Sequence, residues 1–134
     1  MATKMVFINL PVTDLQRSIA FYQALGFTQN KDFSDENASS LMWSETIGLM
    51  VLTHNFYEKF LQGKTIADTK KNNSTMIALT FDSAEAVQQF ADTAVANGGQ
   101  SYVVDTGIPI TEMVEIQVLD PDGNHLSACW MNGY

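Results

Sequence analysis

His125, Ser127 and Cys129 alternate near the end of the chain. On a β-strand, where side chains repeat every two residues, all three point to one face. A histidine in such a row can serve as a general base or as a metal ligand. A cysteine becomes a nucleophile when a nearby cation or helix N-terminus lowers its pKa. The sequence places neither beside Cys129, which therefore reads as a cavity-lining or core group. Glu112 and Glu115 are the carboxylates on the neighbouring predicted strand, and His54, the other histidine, follows an apolar run and reads as a rim residue. Two histidines without carboxylates do not make a four-ligand metal centre. A different chemistry comes from Phe7, Trp43, Met50 and Met76: an apolar wall against which a small organic molecule packs. Asn9, two residues beyond Phe7, shares its face.

The elements that must position these residues occur twice. VFINLPVTDLQRSIAFYQALGF near the start and MIALTFDSAEAVQQFADTAVANGG in the second half each read as strand, helix-capping signal, amphipathic helix and closing glycine. Thr13 with Gln16, and Asp82 with Glu85, fit capping boxes. Leu15, Ile19, Tyr22 and Leu25 recur at helical spacing and predict the buried stripe of the first helix. Gly26 and Gly98 are suited to the left-handed conformation that ends a helix. Three further strands are predicted after each helix: 27–32, 39–43 and 48–53 in the first copy, 101–104, 112–119 and 125–131 in the second. Asp120-Pro121-Asp122-Gly123-Asn124 predicts a tight hairpin turn and carries no chemistry of its own.

The predicted architecture is α+β: two βαβββ modules, at about 1–55 and 74–134, joined by segment 56–73 within a single 134-residue domain. Apolar residues are 46% and charged ones 16%, which suits an ordered globule with a core of its own. A formal net charge of −8 with seven Lys and Arg disfavours phosphate backbones, so no nucleic-acid partner is expected. One cysteine precludes an internal disulfide and fits a reducing, cytoplasmic setting. No apolar stretch approaches membrane-spanning length, and MATKMVFINLPV lacks the h-region of a signal peptide.

NLPVTDLQRSIAFYQALGF and DPDGNHLSACW, with paired modules between them, resemble the glyoxalase, bleomycin-resistance and extradiol-dioxygenase proteins, the vicinal oxygen chelate superfamily. The resemblance spans nearly the whole chain. It implies a curved mixed sheet around a cleft, a homodimer, and in many members a divalent metal held by His, Gln or Glu. The matching ligand positions here are Phe7, Val51, Met76 and Ser127. Phenyl and isopropyl groups donate nothing, a thioether is soft, and a neutral hydroxyl is weak. No metal or other cofactor is expected.

The expectation is a cleft that binds a small organic molecule without metal, with Phe7, Asn9, Trp43, Met50, Val51, Met76, His125, Ser127 and Cys129 as pocket residues. The alternative is a divalent-metal-dependent lyase, isomerase or dioxygenase with relocated ligands. Whether the chain is an enzyme stays open.

Overall fold

A computed structural model describes residues 3–133. In chain order its elements are β1 (Val6–Val12), α1 (Leu15–Ala24), β2 (Thr28–Asn30), a 3₁₀ turn (Lys31–Phe33), β3 (Ala38–Met42), β4 (Ile47–Thr53) and α2 (His54–Glu58). There follow β5 (Met76–Thr80), α3 (Ala84–Ala96), β6 (Gln100–Tyr102), β7 (Met113–Leu119) and β8 (His125–Met131). The chain divides into two compact units, Met1–Asp68 and Thr69–Tyr134. Segment 56–73 is thus shared, its first thirteen residues going with the first unit and its last five with the second.

Each unit is a four-stranded mixed sheet of the same topology. The first has the order β1-β4-β3-β2, the second β5-β8-β7-β6. In both, the first strand runs parallel to the last, and the remaining neighbours are antiparallel. The helix between the first two strands supplies the crossover that a parallel pair needs. This is the α+β, doubled βαβββ plan that the repeat predicts, with neither sheet closed.

One face of each sheet is covered by its helix. Leu10, Val12, Leu41, Leu49 and Val51 are buried in the first unit, together with Leu15, Ile19, Tyr22 and Leu25. Tyr22 lies edge-on to Phe21 and to Phe27, with ring centroids 5.1 and 5.3 Å away. In the second unit Ile77, Leu79, Leu126 and Ala128 are buried with Val87, Phe90, Ala91 and Ala94 of α3.

The helix starts differ from the expectation by one residue. The N-caps are Asp14, whose carboxylate accepts from the Arg17 amide at 3.1 Å, and Ser83, whose hydroxyl accepts from the Ala86 amide at 3.1 Å. Thr13 instead receives the Arg17 guanidinium at 3.0 Å. Two capping-competent residues stand side by side at each start, and the one whose oxygen reaches the amide three residues on takes the role. Gly26 and Gly98, at φ +100° and +96°, end the helices as expected.

The β7–β8 turn is built on Asp120, which is 3% exposed. Its carboxylate accepts from the Asp122 amide at 2.9 Å, and from the Asn124 amide and side chain at 2.8 Å each. Gly123 has φ +89°, and a Cβ there would stand 3.0 Å from the Thr69 carbonyl oxygen. The Thr69 hydroxyl donates to the Asp122 carbonyl. Gly123→Ala therefore combines a left-handed Ala, costing roughly 1–2 kcal/mol, with a backbone clash. Urea unfolding is expected to show a loss of about 2 kcal/mol or more, with the m-value unchanged; a loss under about 0.5 kcal/mol refutes this account of the turn.

Candidate functional site

The strand ladders fix which side chains share the face opposite the helix. In the first sheet Phe7 pairs with Gly48, Gly48 with Met42, and Met42 with Thr28. The next row is Asn9, Met50, Ser40 and Asn30. In the second sheet the corresponding rows are Met76, His125, Leu119 and Gln100, then Ala78, Ser127, Gln117 and Tyr102, then Thr80, Cys129 and Glu115. The duplicated frame thus carries the large apolar side chains Phe7, Met42 and Met50 among polar ones in the first unit, and His125, Ser127, Gln117 and Glu115 among apolar ones in the second.

On the first sheet these rows form one wall of a cavity of about 690 Å³. Phe7, Met42 and Met50 come from β1, β3 and β4; Met5 precedes β1, Phe33 comes from the 3₁₀ turn, and Trp43 begins the β3–β4 hairpin. Trp43 is set by Phe27, the two rings lying 5.1 Å apart at 45°. Phe27 is itself buried, so the indole is anchored to the core on one side while lining the cavity. Phe7 and Phe33 are 41% and 68% exposed, a large apolar area left open to water. Gly48 makes the wall possible. A Cβ there would lie 2.6 Å from the Met42 sulfur and 3.2 Å from the Phe7 ring, space that those two side chains occupy instead.

The polar lining comes from Thr28 and Asn30 of β2 and from the hairpin tip, Ser44 and Glu45. Asn30 accepts the Asp32 amide at 3.1 Å, and Ser44 accepts the amides of Thr46 and Ile47 at 3.3 and 3.2 Å. These bonds hold the 3₁₀ turn and the hairpin in shape.

The second sheet presents a hydrogen-bonded row. His125 bonds through Nε2 to the Gln117 side-chain oxygen at 2.7 Å and through Nδ1 to the Asn73 amide nitrogen at 3.0 Å. An amide donor at Nδ1 and an acceptor at Nε2 match the tautomer that carries its proton on Nε2. The Ser127 hydroxyl donates to the Glu115 carboxylate. Cys129 lies beyond, and burial, followed by the negative charge of Glu115, pushes its thiol pKa up. This environment opposes thiolate formation, the opposite of what activates a cysteine.

The candidate residues therefore separate into groups. Phe7, Trp43 and Met50 line the first unit's cavity, and Asn9 shares its face outside the lining. Val51 is fully buried on the opposite, helix-covered face. Met76, His125, Ser127 and Cys129 share the face of the second sheet opposite its buried helix-facing residues, with Met76 66% exposed and Ser127 and Cys129 buried. His54 begins α2. The sequence reading missed Met5, Met42, Phe33 and the hairpin-tip Glu45 in the cavity, and Asn73 and Gln117 around His125. Met42 was open to discovery from the two-residue alternation Ser40, Met42, whereas contributions from the turns carried no periodic signal.

The donor set does not fit a divalent metal. Of Phe7, Val51, Met76 and Ser127, the first three bring no oxygen or nitrogen, Val51 faces away, and the Ser127 hydroxyl is committed to Glu115. Among the described residues no group of three or more His, Cys, Asp and Glu side chains is placed to hold a metal ion. Nor is any helix among them long and apolar enough to cross a membrane.

Residues 4–39 match the family model described as "Bleomycin resistance protein-like N-terminal". No curated protein sequence matches the chain. Among solved structures, the fold is shared with a glyoxalase/bleomycin resistance protein/dioxygenase family enzyme from Burkholderia phytofirmans PsJN. Identity is 18% and the TM-score 0.78, covering 96% of this chain and 99% of that one. A bleomycin-binding protein in complex with bleomycin matches at 19% identity and TM-score 0.63, over 96% and 98% of the two chains. The fosfomycin resistance protein FosX from Listeria monocytogenes matches at 17% and 0.68, over 100% and 95%. The superfamily resemblance carried by the sequence motifs is borne out.

The reactivity of Cys129 checks the electrostatics of the second sheet. At pH 8 the native thiol is expected to react with a disulfide reagent slower than the urea-unfolded chain, on the order of tenfold or more. Glu115→Gln is expected to recover only a minor part of that rate, because burial is the larger cause. Native and unfolded rates that coincide would contradict this picture.

Proposed function

We propose that this glyoxalase- and bleomycin-resistance-like chain binds a small organic molecule in the cavity of its first unit, without a metal. The observation that carries the reading is the cavity itself: about 690 Å³, walled by three aromatic rings and three thioethers. That volume lies within the range of pockets for drug-sized molecules, which are mostly apolar with a few fixed polar groups. The Met side chains add adaptability to the wall. A structural neighbour solved with bleomycin bound supports small-molecule binding as a use of this fold. The absence of a suitable donor set supports binding or sequestration over metal-assisted chemistry.

Gly48 allows a test that separates binding from folding. In Gly48→Ala the new methyl displaces the flexible end of Met42 and the Phe7 ring. Stability is expected to fall by only about 1 kcal/mol, the low end of overpacking. A ligand found by thermal shift against the wild-type chain is expected to lose about tenfold in affinity, or roughly 1.4 kcal/mol. Unchanged affinity refutes the site. Elemental analysis of protein purified without chelator is expected to find no stoichiometric divalent metal. One equivalent per chain, with activity lost on chelation, establishes the alternative metal-dependent lyase, isomerase or dioxygenase.

The reading extends to a homodimer in a reducing, cytoplasmic compartment. Val103, Val104, Ile108 and Ile110, in the loop between β6 and β7, are all exposed, and such a cluster supports self-association. Light scattering coupled to gel filtration is expected to give twice the 14.8 kDa chain mass. Val104→Asp with Ile110→Asp is expected to restore the monomer; a wild-type monomer at high micromolar concentration refutes the dimer.

A further inference from the structure

The lining of the first unit's cavity is unevenly charged. Its lining includes one ionisable side chain, Glu45, and no Lys, Arg or His. The lysines nearest in sequence to lining residues, Lys4 and Lys31, are exposed and outside the lining. Glu45 stands at the exposed tip of the β3–β4 hairpin, held there by the Ser44 bonds to Thr46 and Ile47, and among the described residues its carboxylate has no hydrogen-bond or ion-pair partner. The faces of Phe7, Phe33 and Trp43 carry the negative side of the aromatic quadrupole, and the sulfurs of Met5, Met42 and Met50 are polarizable. Each of these groups attracts positive charge. None compensates a negative one, and the chain as a whole carries −8.

Resting on the binding reading above, we infer that the ligand is an aromatic organic cation: a flat ring system packed among Trp43, Phe7 and Phe33, with its positive end toward Glu45. A neutral ring system satisfies the apolar wall but leaves the carboxylate unmatched. An anion brings its charge beside Glu45 with no cation in the lining to meet it. Because Glu45 is exposed, its attraction is screened and amounts to a few-fold in affinity. The cation–π contribution of the rings adds a further factor of a few.

Three matched three-ring probes test the inference by isothermal titration: 9-aminoacridine, cationic at neutral pH; 9-hydroxymethylanthracene, neutral; and anthracene-9-carboxylate, anionic. The cation is expected to bind about tenfold more tightly than the neutral probe, with the anion weakest. Glu45→Gln is expected to reduce cation affinity about threefold and leave the neutral probe unchanged. Raising salt is expected to narrow the difference between cation and neutral probe. A neutral probe that binds as tightly as the cation, or a cation preference that Glu45→Gln does not alter, overturns the charge assignment while leaving the pocket intact. Failure of all three probes to bind overturns the pocket reading itself.

Discussion

Each unit rests on one geometric constraint: its last strand is paired on both sides, parallel to the first strand and antiparallel to the third. With both edges of β4 and β8 committed, side-chain phase is locked across the sheet, because a one-residue slip would exchange its two faces. The helix can cover only one of those faces. That face takes the mostly apolar residues that hold the unit together, from Leu10, Leu49 and Val51 in one sheet to Ile77, Leu126 and Ala128 in the other. The opposite face is released from the core's demands and can carry any chemistry the backbone tolerates.

The two copies have used that freedom in opposite ways. Where the first sheet has a glycine at residue 48, the second has His125 in the corresponding ladder position. Removing a side chain let Phe7 and Met42 close over the backbone and form an apolar wall. Supplying an imidazole required acceptor and donor partners, found in Gln117 and Asn73. A buried polar group without partners is costly, so the second face could become polar only as a connected set. The pairs His125–Gln117 and Ser127–Glu115 have that character.

Most of the fold was legible because it rests on periodic signals. The alternation of strands, the stripe of α1, the glycine stops and the Asp120–Asn124 turn each state a backbone requirement in residue type. The phase of β4 was not legible. Gly48-Leu49-Met50-Val51-Leu52 is a continuous apolar run, and without alternation nothing in it says which residues face the helix. The resemblance matches Val51 to a ligand position and so places it in the pocket with Met50, whereas the ladder sets Val51 beside Leu10 and Ser39 on the covered face and leaves Met50 at the cavity. The capping residues posed the same difficulty in miniature, since Thr13-Asp14 and Asp82-Ser83 each offer two acceptable oxygens. Phe33 and Glu45 were hidden for another reason: they reach the cavity from turns, where position depends on tertiary geometry.

The bond from Thr69 to the Asp122 carbonyl and that from Asn73 to His125 also bear on where the second copy begins. By strands, it starts at Met76; by what its structure needs, it starts seven residues earlier. The last five residues of the segment that looks like a tether between repeats are an integral part of the second one, steadying the hairpin with one side chain and orienting an imidazole with another. A gene fragment cut at the first residue of β5 would encode every strand of the unit and still lack both of these bonds.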